Sequence, residues 1–106
     1  MKQRVWIYCR VLSHSHSYLL NYQEDKLFSF AKQKNMEIIG VTKETNSGNS
    51  FQRYPIIQLL PYIKTNRIDI ILVDNLKRLF SNEDHLYEFS LLCEYYHVSI
   101  IETQSS

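Results

Sequence analysis

Arg10, Arg53 and Arg78 are the residues of this chain best suited to chemistry on an anion, with Lys43 and Lys77 close to them in sequence. A guanidinium carries planar, forked donors that match the oxygens of a phosphate or carboxylate, so several of them at one place make an oxyanion site. One arginine alone reads as a solvated surface charge. Three that fall at successive strand ends shift the reading toward a site. The charge balance then limits its extent: 12 Lys plus Arg stand against 11 Asp plus Glu, a formal charge of +1. A polyanion must be met locally rather than by bulk attraction.

Other reactive types carry less. His14-x-His16 offers two metal ligands but lacks the further Cys, His or carboxylate spacing of a zinc site, and reads as part of a polar loop. Ser13, Ser15 and Ser17 supply hydroxyls, which loop composition explains. Arg10 would lower the pKa of the neighbouring Cys9 thiol, yet Cys9 closes an apolar run and reads as a buried, inert thiol. Asp69 and Asp74 are separated by a strand length, too far apart for a shared proton. Tyr87, Tyr95 and Tyr96 suit base stacking or a partner surface, but half-buried packing accounts for most of them.

The elements that must position the arginines follow from hydrophobic period. Val5–Cys9 is a β-branched and aromatic run without polar alternation, the mark of a strand covered on both faces. The polar stretch Val11–Ser17 feeds a helix over Leu19–Asn35, where Leu19, Leu20, Gln23, Leu27, Phe30 and Ala31 share one stripe. Met36–Thr42 is a second strand and Lys43–Gln52 the longest polar loop. Arg53–Asn66 has helical spacing, but Pro61 removes a donor and crowds the carbonyl of Ile57, which predicts a kink or a displaced helix start. Ile68–Val73 is a third strand, and Asp74–Ser81 connects it to a helix opening at Asn82-Glu83-Asp84 with acidic residues at its positive end. Leu86, Phe89, Leu92, Cys93 and Tyr96 line that helix; Val98–Glu102 is a last strand, followed by the polar tail Thr103–Ser106.

Alternating strands and helices predict an α/β domain of three layers, a mainly parallel central sheet with helices on both faces. Ligands of such sheets bind at the carboxyl ends of the strands. Arg10–Ser17, Lys43–Arg53 and Asp74–Ser81 then share one rim, which brings the three arginines together. A length of 106 residues suits a single domain over 1–106, and two Gly and two Pro among 44% hydrophobic residues exclude collagen-like and disordered classes. Two distant cysteines and apolar runs no longer than a strand predict a cytoplasmic protein with no membrane segment.

Val5–Ser13, which reads Val-Trp-Ile-Tyr-Cys-Arg-Val-Leu-Ser, resembles the opening strand of the serine recombinase family of resolvases and invertases. Gln23 falls where that family has a helix glutamine, Ser47–Arg53 resembles its Ser-Gly loop ending in Arg, and Ile68–Leu79 resembles its third strand and the Asp-Arg-Leu segment after it. The resemblance spans Val5 to Glu102. It implies a resolvase-like catalytic domain in which a serine attacks a DNA phosphodiester, arginines stabilise the transition-state charge, and a tetramer exchanges strands without a metal or nucleotide cofactor. By position it makes Arg10, Arg53 and Arg78 catalytic arginines and Ser47 a site serine; Lys43 and Lys77, beside the arginines on the rim, are read as substrate-binding. DNA, further copies of the chain and intact recombinase subunits are the partners implied.

The departures bear on activity. Leu12 stands at the family's nucleophile position and has no nucleophilic atom; Ser13, one residue later, replaces it only if the loop bulges. Lys77 occupies the place of an aspartate and Ser81 that of an arginine, while Glu44 keeps an acidic position of the second loop. Family members continue into a dimerisation helix and a DNA-binding domain, and the expectation here is a chain without that C-terminal module. Together these features predict a recombinase-like domain impaired in DNA cleavage, with a non-catalytic self-association or regulatory module, or a mobile-element relic, as the alternatives.

Overall fold

The computed structural model describes residues 2–104; Met1 at the basic start and Ser105 and Ser106 of the expected tail lie outside the described residues. The chain runs β1 (Arg4–Val11), α1 (Tyr18–Gln33), β2 (Glu37–Thr45), α2 (Tyr54–Lys64), β3 (Ile70–Val73), α3 (Glu83–Tyr95) and β4 (Ser99–Glu102). Single 3-10 turns at His14–His16 and Leu76–Arg78 follow β1 and β3. The four strands form one sheet in the order β2-β1-β3-β4, and every pairing is parallel. No helix among the described residues is long and apolar enough to cross a membrane.

Strand alternation divides the core. Val5, Ile7 and Cys9 of β1 with Ile70 and Leu72 of β3 face α1, which contributes Leu27 and Ala31. Tyr8 of β1 with Ile71 and Val73 of β3 face the opposite way, toward Ile56, Leu59 and Ile63 of α2 and Phe89 and Cys93 of α3. One helix on one face and two on the other give the predicted three layers. A bulge between Val5 and Trp6 lets the indole lie on Gly40 of β2, where a Cβ would stand 2.4 Å from the ring. A side chain at position 40 would have to displace the indole.

Three of the differences from the sequence reading have a clear physical reason. β1 runs through Arg10 and Val11, and β2 through Glu44 and Thr45, because their ladder continues in register as far as Val11 opposite Thr45. Arg10 and Glu44 are therefore strand residues, opposite one another. α2 is not displaced by Pro61: it starts at Tyr54 beside Pro55, which needs no amide partner in a first turn, and continues past Pro61 to Lys64. Asn82 caps α3 as expected, its side chain accepting from the amide of His85 at 3.0 Å.

Candidate phosphate site at the carboxyl rim

Arg10 lies in β1 beyond Ile7, the last residue paired with β3, so the side of its backbone turned away from β2 needs another partner. Gln23 of α1, 1% exposed, supplies one: its Oε1 accepts from the Arg10 amide and its Nε2 donates to the Arg10 carbonyl, both at 3.1 Å. The guanidinium then reaches across the rim. Nε donates to the carbonyl of Arg78 at 2.9 Å, Nη1 to that of Asn46 at 2.7 Å and Nη2 to that of Lys77 at 2.6 Å. Arg10 thus ties β1 to the loop after β2 and to the turn after β3. Gly48 closes over it at φ +77°, and a Cβ there would stand 2.5 Å from Arg10 Cζ. Burial, with Arg53 as the next cause, lowers the Arg10 pKa from its ordinary value.

Arg53 sits below this clamp, 5% exposed, at the start of α2. Its Nε donates to Glu44 Oε1 at 2.5 Å and its Nη2 to Glu44 Oε2 at 3.2 Å. Further bonds go to the carbonyls of Ser50 and Leu79 and to Tyr8 Oη, and the guanidinium lies 4.8 Å from the centre of the Phe80 ring. Tyr8 Oη also donates to Glu44. Burial works to lower the Arg53 pKa, but the bonds to Glu44 and Tyr8 outweigh it and the net shift is upward. Burial and then the Glu44 hydrogen bond push the Tyr8 phenol up.

Arg78 is the more open arginine, with 32% of its side chain exposed. Its Nε donates to Asp74 Oδ1 at 3.0 Å and its Nη1 to the Arg10 carbonyl at 3.2 Å. Arg10, Asn75, Lys77 and Arg78 line a cleft of about 210 Å³. The structure therefore brings Arg10, Lys77 and Arg78 together and leaves Arg53 beside Glu44, outside that lining. Lys43 points back to α1, 2.9 Å from Glu24 Oε1. Ser47 joins the rim through its backbone, its carbonyl accepting from Ser81 Oγ at 2.9 Å.

The segment after β1 carries the hydroxyls. Leu12 is 65% exposed. Ser13 has an extended backbone, and its Oγ lies 2.8 Å from Ser15 Oγ and 3.0 Å from His16 Nδ1. Cys9 is fully buried, its thiol pushed up to about 12 mainly by burial, an inert group as read from the sequence. Among the described residues no three His, Cys, Asp or Glu side chains cluster as metal ligands, so His14 and His16 stand without the further ligands a metal needs.

Sequence reasoning missed Asp74. It placed this residue at the start of the rim segment and dismissed it as a carboxylate pair with Asp69, but gave it no role of its own, whereas each carboxylate has its own arginine: Asp69 pairs with Arg4 at 2.9 Å and Asp74 with Arg78. The four-residue spacing of Asp74 and Arg78 was the available signal.

The sequence that builds this rim matches a family model, described as "Resolvase, N terminal domain", over residues 5–106. The chain belongs to the resolvase family. Solved structures agree on the fold of this resolvase domain. The C-terminal catalytic domain of ISC1926 TnpA, an IS607-like serine recombinase, superposes with a TM-score of 0.90 at 24% identity, covering 97% of this chain and 72% of that one. A resolvase family site-specific recombinase from Streptococcus pneumoniae gives 0.85 at 22% identity over 97% and 73%. A serine recombinase from Sulfolobus solfataricus gives 0.83 at 23% identity over 99% and 71%.

Proposed function

We propose that this resolvase-family domain engages a DNA backbone phosphate at its carboxyl rim without forming the serine–phosphate ester, and acts in assemblies with itself or with intact recombinase subunits. The observation that carries the reading is Leu12: an exposed side chain with no nucleophilic atom stands at the exit of β1, where the family resemblance calls for the attacking serine. The surrounding chemistry points the same way. Three donors of Arg10 are held by carbonyls and Arg53 is bound to Glu44, so among the described rim residues Lys77 and the Nη2 of Arg78 are the cationic donors turned to meet a phosphate oxygen. Two buried free cysteines suit a cytoplasmic setting.

Ser13 supports a second reading. Its Oγ lies 3.0 Å from His16 Nδ1, which accepts the hydroxyl proton when the imidazole carries its own proton on Nε2, as a displaced nucleophile would require. A labelled pool of nicked duplexes with randomised central sequence separates the two on a denaturing gel. The expected result is no protein–DNA adduct from the wild type or from Leu12→Ser, because Lys77 and Ser81 remain changed. An adduct formed by the wild type and lost in Ser13→Ala overturns the non-cleaving reading; an adduct gained by Leu12→Ser alone shows that only the nucleophile is missing.

A further inference from the structure

Asp74 ends its strand's run into the rim with 7% of its side chain exposed, and its carbonyl accepts the amide of Gln104 at 3.0 Å, so both its backbone and its carboxylate are fixed. That carboxylate grips Arg78 by Nε, the inner edge of the guanidinium, while the Arg10 carbonyl takes Nη1. Among the described residues Nη2 of Arg78 donates to no protein acceptor, and it belongs to a residue lining the cleft beside the exposed Lys77. An unheld arginine on a surface turn spreads over many rotamers, and ordering it costs side-chain entropy. Holding it from behind removes that cost in advance.

Resting on the reading of this rim as a phosphate site, we propose that Asp74 is a positioning residue: its buried carboxylate fixes Arg78 so that the outer guanidinium edge, with Lys77, is presented to a phosphodiester oxygen. The proposal makes a prediction of unusual sign. Asp74→Asn removes a negative charge from beside a polyanion site, and Coulomb attraction alone would tighten DNA binding. Positioning requires the opposite.

The test is fluorescence anisotropy of a random-sequence duplex with the full chain at about 50 to 200 mM salt. Asp74→Asn is expected to weaken binding roughly tenfold, the worth of one charged hydrogen bond, and to flatten the slope of log affinity against log salt by about one phosphate contact. Arg78→Ala should do the same, the double variant should be no worse than Arg78→Ala, and Asp74→Glu should restore most of the affinity. Circular dichroism confirms that each variant is folded. Weaker binding by Arg78→Ala with equal or tighter binding by Asp74→Asn overturns the positioning role alone. Unchanged binding in both Arg78→Ala and Lys77→Ala overturns the phosphate reading and the proposal with it. Should Asp74→Asn fail to fold, the wild type decides: the Nε–H signal of Arg78 in a proton–nitrogen spectrum is expected to be protected at neutral pH and to shift on titration with duplex, and its absence overturns the proposal.

Discussion

Replacing Glu44 with Gln isolates what the buried end of the rim contributes to stability. The Glu44 and Arg53 side chains are 4% and 2% exposed, so water cannot replace either partner. Gln keeps the shape of Glu but carries one acceptor oxygen in place of two, and its amide group presents donors toward Arg53 or Tyr8, which already donate. Removing one member of a buried pair leaves an uncompensated charge at a cost of about 3–5 kcal/mol. The carbonyls of Ser50 and Leu79 and the Phe80 ring still shield Arg53, which places the expected loss at the lower end of that range. About 3 kcal/mol is a large share of the roughly 5–15 kcal/mol that holds a small domain together, and it lowers Tm by roughly 12–24 °C at about 4–8 °C per kcal/mol. Urea unfolding followed by circular dichroism measures it. The paired replacement Glu44→Leu with Arg53→Met should recover much of the loss, since apolar substitutes of similar volume do not leave a lone charge. A loss below about 1 kcal/mol for Glu44→Gln, or a double variant less stable than either single one, refutes the reasoning.

Two more outcomes follow from the same structure. Gly48→Ala meets both a positive φ and Arg10 Cζ at 2.5 Å; about 1–2 kcal/mol of backbone strain and at least one lost Arg10–carbonyl bond of about 1.5–3 kcal/mol should lower Tm by more than 10 °C (about 4–8 °C per kcal/mol), and an unchanged Tm would remove Arg10 as the clamp of the rim. The hydrogen bonds from Arg4 hold the Asp69 carboxyl below its ordinary value, so the stability it confers is complete above about pH 3.9 and fades as pH falls through the lower folded value. The Tm difference between wild type and Asp69→Asn should therefore stay constant down to about pH 4 and close below it; a gap that widens in acid contradicts the pairing.

The fold was legible because its signals are local and repeat along the chain. The β-branched and aromatic run Val5–Cys9 marked a strand covered on both faces, Ile68–Val73 marked a third strand, and Tyr8 faces one core while Ile7 and Cys9 face the other. Boundaries were less legible where pairing, rather than composition, decides them. Lys43 and Glu44 belong by type to a polar loop, yet the ladder with β1 carries them into β2. Pro61 is a breaker by type, but it lies on the exposed side of α2 while Ile56, Leu59 and Ile63 hold the buried face, and packing of that stripe outweighs one lost backbone bond.

The arginines were found from sequence by type and by place on the rim, but their roles were not, because a guanidinium is defined by what its donors meet. Three carbonyls from two other segments make Arg10 a clamp; no spacing within β1 announces them. Glu44 and Tyr8 make Arg53 part of the interior, which only the register of β1 against β2 and the turn into α2 reveal. Arg78 alone combines a held inner edge with an open outer one, and the residue that holds it is Asp74, four positions earlier. A rim built this way keeps its shape whether or not position 12 bears a hydroxyl, since none of these bonds involves Leu12. On the proposed reading the scaffold of a phosphate site outlasts the nucleophile, and DNA binding is expected to persist where cleavage does not.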